Sequence, residues 1–155
     1  MTSLPFEPIR IDQQRQYANF LNALPLIPSD YSFTNLWGWA EEYELEWAWR
    51  EGLVWIRQHQ PYPAYWAPIG DWRKVDWPAT LKNVAPGTRF IRMPEALQQI
   101  WTTQLEHRLA VNETRGQWDY LYSAEDLIKL SGNRYHKKKN LVNQFVKKYE
   151  YEYQP

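Results

Sequence analysis

Near Glu44 the hydrophobic period of the chain switches from that of a helix to two, and this switch limits the fold more than any other feature. Upstream, Tyr17, Phe20, Leu21 and Leu24 recur at helical spacing behind Asp12, a candidate N-cap, and Pro25 and Pro28 close the segment. A second helix is expected to start at Asp30 or Ser32 and run through Phe33, Leu36 and Trp37 to about Glu42. Downstream, Leu45, Trp47 and Trp49 fall on one side and Glu44, Glu46 and Arg50 on the other, as in a half-buried strand. Glu51-Gly52 turns the chain, Leu53 to Arg57 returns, and Ala64 to Pro68 supplies a third strand. The expected unit is an antiparallel meander.

Further along, the pattern predicts a helix around Trp77 to Asn83 and a strand at Thr88 to Met93. Pro94 opens a helix whose stripe is Leu97, Ile100, Trp101 and Leu105; proline suits a first helical position because its missing N–H would have had no partner there. Arg108 to Val111 and Trp118 to Tyr122 alternate like strands. Ser123-Ala124-Glu125-Asp126 reads as a capping box. A last helix spans about Asn133 to Lys148, and Tyr149 to Tyr153 can form a final strand. The fold class is therefore α/β of the α+β kind, a mixed sheet with an antiparallel meander flanked by helices, in one domain over residues 1–155.

A chain of 155 residues buries roughly two-thirds of its unfolded surface, so its core needs no staples. It has no cysteine, which excludes disulfides and thiolate chemistry. Pro5, Glu7, Pro8 and Arg10 speak against a signal peptide, and no run approaches the roughly 20 apolar residues of a membrane span. A cytoplasmic protein without a transmembrane segment is the expectation. The 10 Trp and 11 Tyr admit two readings: a core of large rings, or rings partly turned toward a partner.

Net charge is zero, yet residues 131–149 hold six cations (Arg134, Lys137, Lys138, Lys139, Lys147, Lys148) and no acid. The remainder carries 12 Lys/Arg against 18 Asp/Glu, so neutrality hides a dipolar molecule. At about 100° per residue, Leu141, Phe145, Tyr149 and Val142 define a packed face, and Arg134 and Lys138 continue that stripe toward the helix start. A helix N-terminus carries about half a positive charge and unpaired N–H groups, so it favours acids. Cations crowded there either form a solvated face or await an anion, and Gly132 lets a ligand approach the backbone closely. Tyr135, His136, Asn140 and Asn143 add stacking and hydrogen-bonding capacity of the sort that nucleic-acid surfaces use.

Other chemistry finds little support. The chain lacks both G-x-G-x-x-G and a Walker A loop, and His59, His107 and His136 form no metal-ligand pattern with cysteines or acids. No cofactor is implied. Glu41, Glu42, Glu44 and Glu46 read as solvated acids at a helix–strand boundary, and Ser123 and Ser131 have sufficient roles as caps.

Several segments together resemble a bacterial family. They are Phe33-Thr34-Asn35-Leu36-Trp37 with Trp39, Ala67-Pro68-Ile69-Gly70, Trp118-Asp119-Tyr120-Leu121-Tyr122, and the most specific stretch, Leu130-Ser131-Gly132-Asn133-Arg134-Tyr135-His136-Lys137-Lys138-Lys139-Asn140. Asn143-Gln144-Phe145 and Tyr149-Glu150-Tyr151-Glu152 follow. The chain resembles the uncharacterised bacterial proteins related to the C-terminal catalytic region of phosphatidylglycerol lysyltransferases. That resemblance implies two tandem GNAT-like domains, of which this sequence resembles the first, and transfer of aminoacyl groups from aminoacyl-tRNA to lipid or peptidoglycan-precursor acceptors. It further implies that Arg134, Lys137, Lys138, Lys139 and Asn140 hold a phosphate-bearing substrate, with a second GNAT-like domain or a homodimer completing the cleft. Lys139 stands where the family more often has Arg, so a planar bidentate contact becomes a point charge. Three readings of function stay open: an aminoacyltransferase-type half-domain, a non-catalytic RNA or polyanion-binding module, and a protein-interaction module.

Overall fold

The computed structural model describes residues 4–106 and 108–152. His107 and Tyr153, the last residue of the expected final strand, lie outside them. The chain forms two compact units, Met1–Trp118 and Asp119–Pro155.

The first unit is built on a six-stranded, mostly antiparallel sheet flanked by helices. Its meander is the one the period-two segments predict: β2 (Glu46–Arg50), β3 (Leu53–Gln58) and β4 (Ala64–Trp66) pair antiparallel in succession. Glu51 and Gly52 both adopt positive φ, 53° and 75°, as a two-residue hairpin turn that matches the strand twist requires. The edge strand β1 (Glu7–Pro8) pairs with β2, and β5 (Ile69–Gly70) pairs with β3 beyond the break at Ala67-Pro68. β6 (Phe90–Ile91) lies parallel to β4, with Tyr65 opposite Phe90. Parallel neighbours need a crossover, here the segment containing α3 (Trp77–Thr80).

The flanking helices are α1 (Gln14–Leu21), α2 (Phe33–Gly38) and α4 (Glu95–Gln104). Asp12 does not cap α1; it sits in a 3-10 turn and its carboxylate is engaged by Arg10. Ser32, rather than Asp30, caps α2 by accepting from the Asn35 N–H. Asp30 is instead ion-paired with Arg92. Pro94 stands one place before the first residue of α4, where it serves as the N-cap.

The core is aromatic. Trp47, Trp55, Trp66, Trp72, Trp77 and Trp101 are buried, which places most of the indoles inside. Three of their N–H groups find acceptors: Trp66 on Gln58 Oε1 (2.9 Å), Trp72 on the Pro68 carbonyl (2.7 Å) and Trp77 on the Trp72 carbonyl (3.1 Å). A buried donor left unpaired costs about 1–3 kcal/mol, a cost these three bonds avoid; the buried Trp47 and Trp101 N–H groups have no acceptor among the described residues. Tyr17 donates to the Tyr31 carbonyl at 2.6 Å, and Tyr31 in turn donates to the Arg92 carbonyl at 2.7 Å. Desolvation raises the pKa of both phenols. Arg92, held at φ 53°, stacks its guanidinium 4.3 Å from the centre of the Trp66 ring.

Three expected strands do not form among the described residues. Residues 108–111 and 118–122 are irregular, as are residues 149–152. Alternation marks a chain that can enter a sheet, but a strand exists only where another backbone offers the ladder. Tyr120 and Leu121 illustrate this, being 87% and 99% exposed.

Candidate functional site

The second unit holds the basic segment. Its first helix, α5 (Ala124–Lys129), shows one half of the expected capping box: Ser123 Oγ accepts from the Asp126 N–H at 3.3 Å, while the Asp126 carboxylate is engaged by Arg134. Leu130 ends it in the left-handed region, φ 45°, donating its N–H to the Asp126 carbonyl at 2.8 Å. Gly132 follows at φ 84° and ψ 168°, a conformation natural only to glycine. Asn133–Tyr135 then wind as a 3-10 turn, so α6 proper is His136–Lys148 and starts later than the sequence pattern suggests.

The candidate residues divide into three groups. Arg134 is ion-paired with Asp126 and lies 4.7 Å above the centre of the Tyr135 ring. Tyr135 alone among the candidates is buried. His136, Lys137, Lys138, Lys139, Asn140 and Asn143 are all exposed. Among the described residues no carboxylate is paired with Lys137, Lys138 or Lys139, and the first turn of α6 carries neither an acid nor a capping side chain. Successive residues turn by about 100°, so these three lysines fan across roughly 200° of the helix. Their side chains therefore leave the helix in different directions.

The face of α6 expected to be packed is open. No residue of the helix is buried, and Leu141, Val142, Phe145 and Val146 are 65%, 50%, 48% and 51% exposed. Amphipathic spacing shows that a face seeks apolar cover, not which chain supplies it. Phe145 is met by Tyr149 and Tyr151, with ring centres 5.1 Å and 5.2 Å away, yet both tyrosines are themselves exposed. Most indoles of the first unit therefore lie in its core, with Trp37, Trp39 and Trp118 exposed, while Tyr120, Tyr122, Tyr149 and Tyr151 of the second unit lie at the surface.

One cluster in the first unit went unread in the sequence. Glu46, expected to be solvated, is half-buried, and its Oε2 accepts from Arg57 Nε at 3.0 Å and Nη2, and from His59 Nε2 at 2.9 Å. Hydrogen bonds from His59 and Arg57 hold its carboxyl below the usual range. The signal available in sequence was the meander itself: once β2 and β3 pair, Glu46 stands opposite Arg57. Among the described residues no three acids or histidines gather as a metal site would need, and no helix is long and apolar enough to cross a membrane.

Comparison with known proteins fits these observations. A crystal structure of a conserved protein of unknown function from Bacteroides thetaiotaomicron VPI-5482 shares the fold, with a TM-score of 0.72 over 94% of this chain at 23% sequence identity. The chain spans about half of that protein, 51% of its length. No curated protein matches the sequence. The family model described as phosphatidylglycerol lysyltransferase, C-terminal, matches residues 22–155, which include the basic helix, the turns at Gly52 and Gly132 and the whole meander from β2 to β4. The chain belongs to the phosphatidylglycerol lysyltransferase C-terminal family.

Proposed function

We propose that this chain is a GNAT-like half of an acyl- or aminoacyltransferase, and that the start of α6 binds a phosphate-bearing substrate. Aminoacyl-tRNA, a lipid head group and a nucleotide-linked acceptor all carry the required group. The observation that supports the reading most is the set of three exposed lysines without carboxylate partners, at a helix start that electrostatics alone would leave to acids. Family membership supplies the chemistry class. In this reading Tyr135 is the platform on which Arg134 stacks, while His136, Lys137, Lys138, Lys139, Asn140 and Asn143 reach the substrate. Catalysis consists of positioning and charge stabilisation, with the acceptor providing the nucleophile. A second GNAT-like domain or a second copy of the chain covers the apolar face of α6 and completes the cleft.

The test combines binding and transfer. Arg134→Ala with Lys138→Ala is expected to abolish tRNA binding and to lower stability by no more than about 1 kcal/mol, since both side chains and the Arg134–Asp126 pair are exposed. Unchanged affinity in that double variant removes the phosphate site. Transfer of labelled amino acid from charged tRNA to a lipid acceptor supports the enzyme. Tight binding without transfer, in the presence of a second domain or at dimer-forming concentration, assigns the chain instead to non-catalytic RNA or polyanion binding. That second reading draws on the fan of lysines, whose side chains leave the helix in different directions.

A further inference from the structure

The first unit carries a surface cavity of about 430 Å³, open to solvent and lined in part by the exposed residues Tyr62, Pro63, Gly87 and Arg89; no residue of the basic helix lines it. Its wall comes from the end of β3 and the residue after it (Arg57, Gln58, His59), the start of β4, and the turn Gly87-Thr88-Arg89 that feeds β6. The volume lies within the roughly 300–1,000 Å³ of small-molecule sites and far exceeds the share of one water, about 30 Å³.

Its charge is one-sided. Arg57 and Arg89 both reach the wall, and among the described residues no Asp or Glu does. Glu46 does not line the cavity, and one of its oxygens accepts from Arg57 and His59. The face of Phe6 holds the Arg57 guanidinium from a second side, 4.3 Å from the ring centre. Arg57 is thereby fixed by an anion and a ring before any ligand arrives. Arg89 has no carboxylate partner among the described residues and lies over the Tyr62 ring, 4.8 Å from its centre. A guanidinium stacked on an aromatic face keeps its in-plane N–H donors free for an oxyanion. The remaining lining, Pro63 and the rings of Tyr62 and Tyr65, offers apolar surface to the body of a molecule.

We propose that this cavity binds a small organic oxyanion, a planar or apolar body carrying one carboxylate or phosphate, with Arg89 as the principal contact and Arg57 as the prefixed second donor. The proposal is independent of the reading of α6, because every residue it uses lies in the first unit.

The experiment titrates the ¹⁵N-labelled full chain with adenosine monophosphate, benzoate and adenosine. The phosphate and carboxylate probes separate the two sources of the anion, and adenosine is the neutral control. The expected result is saturable shifts at Gly87, Thr88, Arg89 and Tyr65 with at least one anion, and at least about tenfold weaker binding of adenosine, the loss expected for charge-assisted bonds. Arg89→Ala should weaken the anion at least about tenfold, and Arg89→Lys by less. Shifts confined to residues 134–143, adenosine binding as well as the anions, no binding by either anion, or full affinity in Arg89→Ala would each overturn the proposal. The shift map on the unaltered protein decides the matter even if Arg89→Ala does not fold.

Discussion

Arg134, on the turn that leads into α6, is ion-paired with Asp126 of α5, eight residues earlier in the chain. The strongest donor of the basic segment is therefore already engaged, while the lysines after it are not. Asp126 is also the residue whose N–H is capped by Ser123 and whose carbonyl receives the Leu130 N–H. One residue thus ties the cap, the end of α5 and the basic turn together.

The pair makes a prediction about affinity. Asp126→Asn removes a negative charge beside Arg134 and keeps the backbone bonds, so tRNA binding should tighten, by a few-fold at low salt. Stability should fall by no more than about 1 kcal/mol, because the pair is exposed. Fluorescence anisotropy with labelled tRNA across a salt series measures it. Weaker binding in Asp126→Asn would mean that Asp126 organises the site rather than competing for its cation.

Glu46 contributes to the acid limb of stability. Its carboxyl is held below the ordinary range, first by the hydrogen bond from His59 and then by that from Arg57. A carboxyl with a depressed folded pKa contributes stability that is present above its unfolded value, near 4.3, and is lost as pH falls through the folded value. Glu46→Gln should lower stability by about 1–2 kcal/mol at pH 7 and by much less near pH 3, narrowing the gap between the two proteins. Urea midpoints at the two pH values check this; a gap of equal size at both would deny Glu46 the role.

Tyr17 and Tyr31 govern the alkaline limb. Burial raises both phenols, so their contribution is complete below the unfolded value of about 10 and is lost as pH rises through the folded values. In an ultraviolet alkaline titration the exposed tyrosines should ionise first, and these two only with unfolding. Tyr17→Phe should remove part of the late amplitude and cost about 1 kcal/mol for the bond to the Tyr31 carbonyl. Early ionisation of Tyr17 or Tyr31 would contradict the packing described.

Gly70 tests the seam between β3 and β5. It adopts φ 146°, and a Cβ there would collide with the Gly52 carbonyl oxygen and lie 2.9 Å from Leu53 Cδ2. Gly70→Ala should destabilise the protein by about 2–4 kcal/mol, through backbone strain and overpacking together. Gly38→Ala is the control, since its added methyl meets nothing within 4 Å. A melt of Gly70→Ala that matches the unaltered protein would show that the hairpin end yields to make room.

The sequence by itself determined those features whose causes are local. Period-two alternation and the Glu51-Gly52 turn specified β2, β3 and their register, because strand pleat and turn handedness are properties of a few adjacent residues. Ser123 was legible as a cap for the same reason, Ser32 only as one of two candidates with Asp30, and the motif from Gly132 to Asn140 was the most specific sign of the family. Only the tertiary structure decided what depends on residues distant in the chain. It left 118–122 without a ladder partner, drew Glu46 between Arg57 and His59, and lined a cavity with Arg57 and Arg89. It also left the apolar face of α6 uncovered, where helical spacing promised packing. Periodicity records a demand for burial or pairing, and whether the demand is met depends on which other backbone or side chain arrives.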